Sequence, residues 1–231
     1  MIEANADAPP RRRLYGRSKG KALRAHQARL VAERLPALEL AAAALAAGEP
    51  LFVFAPSALW LEIGFGGGEH LVAQAAAHPD IGFIGCEFFI NGVAKALAGL
   101  EREGLANVRL RAGDARPLIE ALPAAALSRA FILYPDPWPK RRHRKRRVIS
   151  AELVAELARA IRPGGDVRFA TDIDDYAGWT LQRFLACPDF RWAARAADDW
   201  RTPWDDWFPT RYEAKARAAG RASVYLTFVR R

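Results

Sequence analysis

The chain has 231 residues, with 35 Lys+Arg against 26 Asp+Glu, a formal net charge of +9. Hydrophobic residues make up 51% and charged residues 26%. That is the balance of a soluble globular protein, and it excludes a disordered chain, a collagen-like repeat and a coiled coil. Two cysteines, Cys86 and Cys187, are too few for a disulfide framework and point to a reducing, cytoplasmic setting. The start, Met1-Ile2-Glu3 and then a basic stretch, lacks the apolar run of a secretory signal. The greasiest run, Leu38–Ala47, contains Glu39 and is too short to span a bilayer. The excess positive charge suits a polyanionic partner without naming one.

In chain order, residues 1–22 read as a basic, mobile arm, with Arg11, Arg12, Arg13, Arg17, Lys19 and Lys21 among Pro9-Pro10, Gly16 and Gly20. Residues 23–231 read as one domain. Pro36 is expected to break the helical pattern of 24–47 into two pieces. From Ala58 onward, short apolar runs alternate with helical segments. The runs are Leu59–Ile63, Ile81–Cys86, Val108–Leu110, Ala130–Leu133 and Val167–Ala170. Each is almost continuously apolar, as expected of parallel strands covered on both faces. Helices are predicted over Glu69–Ala77, Ile90–Arg102, Ala115–Leu122, Ala151–Ile161 and Asp175–Ala186. This alternation predicts a doubly wound, mostly parallel α/β sheet, with Ser223–Val229 as a late antiparallel edge strand.

Gly64-Phe65-Gly66-Gly67-Gly68, preceded by Glu62, lies where the first strand turns into the next helix. Glycines there permit a tight turn and a close backbone approach to a ligand. The dinucleotide spacing fails at Glu69, and no Gly-Lys-Ser/Thr follows, which excludes a P-loop. The second strand ends at Glu87, twenty-three residues after Gly64, where a carboxylate can accept hydrogen bonds from both ribose hydroxyls of a nucleoside cofactor. Asp114 follows the third strand. A Gly-x-Gly by itself is most often only a turn, and Glu87 by itself only an acid at a helix start. Together, at three successive strand ends, they point to a cofactor site, and the spacing resembles motif I of class I S-adenosylmethionine-dependent methyltransferases.

Tyr134-Pro135-Asp136-Pro137-Trp138-Pro139-Lys140 follows the fourth strand, and three prolines in five residues make a stiff loop at the edge where open α/β sheets bind ligands. Such a loop holds Asp136 with little freedom, which suits a catalytic group; a rigid structural corner is the bland alternative. Lys140 opens a block running to Arg147 with seven Lys/Arg in eight residues. Charge runs are usually solvated faces, but this one adjoins the candidate site, and phosphates are its natural counter-anions.

The run Pro135–Lys140 with the basic block, Thr171-Asp172-Ile173-Asp174-Asp175-Tyr176, and Thr210-Arg211-Tyr212-Glu213-Ala214-Lys215 resemble the bacterial tRNA (guanine-N7-)-methyltransferase family from His26 to the C-terminus. That resemblance implies S-adenosylmethionine as cofactor and tRNA as partner, with methyl transfer to N7 of a guanine in the variable loop (position forty-six). It implies cofactor contacts at Glu62, Gly64, Gly66, Glu87, Asp114 and Asp136, with Asp136 also catalytic. Substrate contacts are implied at Lys140, Asp172, Thr210, Arg211, Tyr212 and Glu213, and RNA contacts at Arg142, His143, Arg144, Lys145, Arg146 and Arg147. Two other readings compete: a methyltransferase of another substrate, and an RNA-binding module without catalysis. The tryptophan-rich segment 200–209 is expected to be pinned to the core by its rings. The four histidines, His26, His70, His78 and His143, show no metal-ligand spacing, and no metal is expected.

Overall fold

The computed structural model describes residues 15, 16 and 18–231, so the basic arm expected over residues 1–22 lies for the most part outside the described residues. Pro36 does interrupt the leading helical pattern, which forms three pieces rather than two: α1 (Ala25–Glu33), α2 (Leu35–Leu38) and α3 (Ala42–Ala46). Proline is accommodated at the start of α2, where its missing N–H costs nothing.

The alternating part follows as β1 (Ala58–Ile63), α4 (Glu69–Ala77), β2 (Ile81–Glu87), α5 (Ile90–Arg102), β3 (Val108–Ala112), α6 (Arg116–Ala121) and β4 (Leu127–Leu133). A 3-10 turn over Arg141–Arg146 then leads to α7 (Ala151–Ala160), β5 (Ile161–Thr171), α8 (Asp174–Leu185), β6 (Phe190–Trp192), α9 (Asp198–Arg201), α10 (Arg211–Ala218) and β7 (Val224–Arg230). The strands form one seven-stranded sheet in the order β3-β2-β1-β4-β5-β7-β6. The ladders from β3 to β5 are parallel, and β7 pairs antiparallel with β5. The late strand is therefore antiparallel as expected, but it does not end the sheet. The three-residue β6 lies outside it, too short to show a period in the sequence.

Alternation along the strands feeds an apolar layer on each face. In β2, Ile84 and Cys86 join Leu61, Ile63, Ile132 and Leu157 on one side. Ile81 and Phe83 join Leu71, Leu97 and Leu110 on the other. Register then decides the site: Ile63 is level with Cys86 on β2 and with Ile132 on β4. The residues following those three, the glycine turn, Glu87 and the Tyr134 loop, leave the sheet side by side, on both sides of the reversal in strand order at β1.

Within α5, Gly92 packs against the turn after β1, where a Cβ would overlap the Gly66 carbonyl oxygen. We expect Gly92→Ala to lower the unfolding free energy by about 1–3 kcal/mol through overpacking. Gly178→Ala, in α8 with open space around it, should instead raise it by roughly 0.5–1 kcal/mol. Denaturant titration of the two variants checks both signs.

Candidate active site

Gly64 and Gly66 both adopt positive φ, 76° and 58°, a conformation that side chains rarely tolerate. The turn they make is tied back to the sheet, since the Gly64 N–H donates to the Cys86 carbonyl at 2.7 Å. Glu87 completes it: one carboxylate oxygen accepts from the Gly66 N–H at 2.7 Å and the other from the Phe89 N–H at 2.8 Å. Each oxygen keeps a lone pair for a ligand. Burial raises the pKa of Glu87, and the backbone amides work against that shift. Above this corner lies a cavity of about 860 Å³, lined by Gly64, Gly66, Glu87, Asp114, Asp136 and Tyr212 among others.

The opposite wall is the proline loop. Tyr134 and Trp138, neither of them glycine, have φ of 48° and 43°. Left-handed backbone at such residues costs of order 1–3 kcal/mol and persists only where the surroundings enforce it. Three groups do so here. The Tyr134 N–H donates to the Ala170 carbonyl at 2.8 Å, and its hydroxyl donates to Ser223 Oγ at 2.8 Å. Arg147 Nε donates to the Pro137 carbonyl at 2.8 Å. Asp136 is thereby presented to the cavity, where partial desolvation lifts its pKa above the ordinary carboxylate range.

Arg147 is the buried member of the basic block. Its side chain is fully buried and pairs with Asp175 at the start of α8. Its guanidinium lies 4.7 Å over the Tyr176 ring and 5.0 Å from the Trp179 ring. A group so enclosed is held in place, because leaving its carboxylate and rings would strand a buried charge. Arg144 also bonds Asp175, at 2.6 Å, but is 37% exposed. These contacts hold the Asp175 carboxyl below its usual range, the Arg147 hydrogen bond foremost. Arg142 and Lys145 are exposed, and Lys145, Arg146 and Arg147 line the cavity. Arg146 lies 4.9 Å over Trp138 and also 4.9 Å over Tyr15, and His143 meets Trp138 edge-on. Burial and the neighbouring cations lower the pKa of His143.

The other expected positions divide in the same way. Asp114 reaches the cavity, paired with Arg116 at 2.6 Å, and Tyr212 lines it from α10. Glu62 does not line it. Strand alternation turns its side chain to the far face, buried and bonded to His70 Nδ1 at 2.8 Å. Thr210 caps α10 by accepting from the Glu213 N–H. The buried Glu213 carboxylate accepts from Trp207 Nε1 at 2.8 Å, the Tyr225 hydroxyl at 3.0 Å and Arg217 at 3.0 Å. Both side chains thus help to hold α10. Arg211 approaches Glu69 at 3.7 Å and donates to the Tyr212 hydroxyl at 3.2 Å. Lys140 is exposed, and Asp172 pairs with Arg221 at 2.6 Å; neither lines the cavity.

As expected, the tryptophan segment is pinned. Trp204 and Trp207 pack beside Phe131, Leu133 and Tyr225, and Trp204 Nε1 donates to Thr227 Oγ1 at 2.8 Å. Asp206 in the same segment pairs with Arg129 at 2.9 Å and with Arg168. Sequence reasoning missed the supporting residues Gly92, Asp175 and Tyr15. Asp175 stands in the run Thr171–Tyr176, but its role and that of Tyr15 depend on partners 28 and more residues away.

Comparison with known proteins agrees in fold and family. A family model described as "Putative methyltransferase" matches residues 56–226. A tRNA (guanine-N(7)-)-methyltransferase of Rhodopseudomonas palustris (strain HaA2) is 50% identical, over all of this chain and 91% of that protein. One of Roseobacter denitrificans is 53% identical, covering 96% of this chain and 97% of the relative. Among solved structures, a 16S rRNA (adenine(1408)-N(1))-methyltransferase from Catenulisporales acidiphilia superposes with a TM-score of 0.52 at 17% identity, covering 83% of this chain and 94% of that one, a likeness of fold alone.

The clamp on Pro137 gives a clear test. Arg147→Met should lower the unfolding free energy by roughly 1–3 kcal/mol, the worth of a hydrogen bond to a charged group. It should leave the salt dependence of RNA binding as in the parent, whereas Arg142→Ala should flatten it. Chemical denaturation and binding titrations at several salt concentrations measure both.

Proposed function

We propose that this chain, which belongs to the tRNA (guanine-N(7)-)-methyltransferase family, binds S-adenosylmethionine in the cavity above Gly64–Gly66 and methylates N7 of a guanine in the variable loop of tRNA. The observation that carries this reading is the meeting of Asp136, Glu87 and the glycine turn in one cavity, with exposed cations at its rim. The residues fit the cofactor. Gly64 leaves open space where a side chain would intrude, and Glu87 offers both oxygens in a fixed orientation. When bound, the cofactor supplies an electrophilic methyl group on a sulfonium cation.

Guanine N7 is a lone-pair acceptor with no proton. It needs alignment with the methyl group rather than a general base, and alignment is what a rigid loop and a fixed turn provide. Positive charge moves onto the base during transfer, and the Asp136 carboxylate in a partly dry cavity is placed to stabilise it. The same carboxylate can accept from the guanine N1 and N2 donors, which adenine cannot offer in that pattern. Tyr212 at the cavity edge presents a ring on which an unstacked base can lie. The free thiols Cys86 and Cys187 suit a reducing cytoplasm, and burial pushes the Cys86 thiol up to about 12, which keeps it inert. Among the described residues no helix is long and apolar enough to cross a membrane.

Asp136→Asn keeps the size and loses the charge. Its single-turnover rate on tRNA, read by nucleoside analysis, should fall on the order of 10²–10³-fold. Raising the pH should not restore it, since no base is missing; a near-normal rate would make Asp136 structural. Glu87→Ala should weaken cofactor binding by about 1–3 kcal/mol by calorimetry, with ribose hydroxyls left unpaired.

A further inference from the structure

A second basic surface adjoins the cavity on the side away from the 140–147 block. A groove of about 420 Å³ is lined by Lys21, Arg24, Lys95 and Arg211, with Phe89, Asn91 and the backbone of Gly92 in its wall and no carboxylate among its lining residues. Lys21 and Lys95 form no ion pair among the described residues, and both are exposed. The groove adjoins the cavity. Phe89 lines both, and Arg211 precedes Tyr212 of the cavity wall.

The segment that brings Lys21 here is anchored to the fold. Asn91 Oδ1 accepts from the Gly20 N–H at 2.7 Å, and its Nδ2 donates to the Lys21 carbonyl at 2.7 Å. The Ile90 N–H, at the start of α5, donates to the Ser18 carbonyl at 3.1 Å. Asn91 thus reads the backbone of residues 20–21 on both its donor and its acceptor side and fixes the chain against the N-terminus of a thirteen-residue helix. The positive end of that helix dipole adds to the four cations. Like charges are costly to gather without a counter-anion, and a segment latched by three hydrogen bonds keeps them together.

Strand order places the groove. Glu87 ends β2 and Phe89 follows it, the glycine turn follows β1, and the 140–147 block follows β4. Since the order is β2-β1-β4, the two basic surfaces flank the cavity mouth from opposite sides. We infer that the groove formed by Lys21, Arg24, Lys95 and Arg211 holds the ribose-phosphate backbone of the tRNA, so that the substrate spans the cavity and is gripped on both sides of the reacting base. This rests on tRNA being the substrate. It assigns a role to the end of the basic arm and to Lys95 on α5, neither of which the 140–147 block explains.

The test uses the full chain and bulk tRNA. In the triple variant Lys21→Ala, Arg24→Ala, Lys95→Ala, the slope of log affinity against log salt should become shallower by about two to three units, with affinity at moderate salt roughly tenfold weaker or more. Calorimetric affinity for S-adenosylmethionine and the single-turnover rate at saturating tRNA should stay close to the parent's. Adding Arg142→Ala and Lys145→Ala should deepen the loss additively, as for separate contacts. Lys21→Arg with Lys95→Arg should keep the parent slope. If the triple variant is unstable, Lys95→Ala alone, on an exposed helix position, should still shift the slope by about one unit. An unchanged slope and affinity in the triple variant or in Lys95→Ala, with parent protein that methylates guanine N7, overturns the groove assignment and gives it to some other anion. Parent protein that leaves guanine N7 unmethylated overturns the activity itself, before any variant is compared.

Discussion

The close approach of α5 to the turn after β1 is the contact from which the site is built. Gly92 lets the helix come so near that its backbone meets the Gly66 carbonyl. At that distance the Glu87 carboxylate can bridge the Gly66 and Phe89 amides. A side chain at 92 would push the helix away, and the glycine turn, the carboxylate and the α5 N-terminus would lose their common geometry. The same approach places Asn91 where it holds residues 20–21. One small residue therefore fixes the floor of the cavity and the seat of the segment beside it.

On the β4 side the equivalent work is done by charge. The Tyr134–Trp138 loop holds two residues in left-handed backbone, and a buried guanidinium grips its Pro137 carbonyl. Arg147 is itself satisfied by Asp175 and by the faces of Tyr176 and Trp179, so its burial leaves no charge unpaired. Farther along the sheet, Arg129 and Arg168 are neutralised by Asp166 and Asp206, which ties the tryptophan segment to β4 and β5. Cations near the site thus have two uses: Arg147, paired inside, stiffens a wall, and Arg142 and Lys145 face solvent.

Such a division suits a reaction that asks for alignment. A proton-free nucleophile gains nothing from a titrating base: among the described residues no histidine lines the cavity, and Cys86, which does, has a thiol held neutral by burial. What matters is that the carboxylates stay fixed while a cation and a polyanion approach. A stiff carboxylate corner and a rim of cations meet both demands without movement of the sheet.

By itself the amino-acid sequence determined the alternating order of strands and helices, the doubly wound sheet, the glycine turn and the placing of Glu87, Asp114 and Asp136 at strand ends. These are local: apolar period, glycine spacing and proline content act within a few residues, and the carboxyl ends of parallel strands share one edge. The Pro-Asp-Pro-Trp loop and its basic block were legible for the same reason. Only the tertiary structure decided which members of a charged or polar run face the cavity. Glu62 and Glu87 read alike as acids near the turn, yet strand alternation buries Glu62 against His70 and leaves Glu87 in the cavity. Arg142 and Arg147 read alike as cations of one block, yet Asp175, twenty-eight residues beyond Arg147, draws one inside and leaves the other in water. Thr210 and Glu213, which the resemblance implies as substrate contacts, close a helix cap and a hydrogen-bond cluster that no local pattern announces. A side chain's partner across the fold sets whether it is spent or free, and no spacing along the chain encodes that partner.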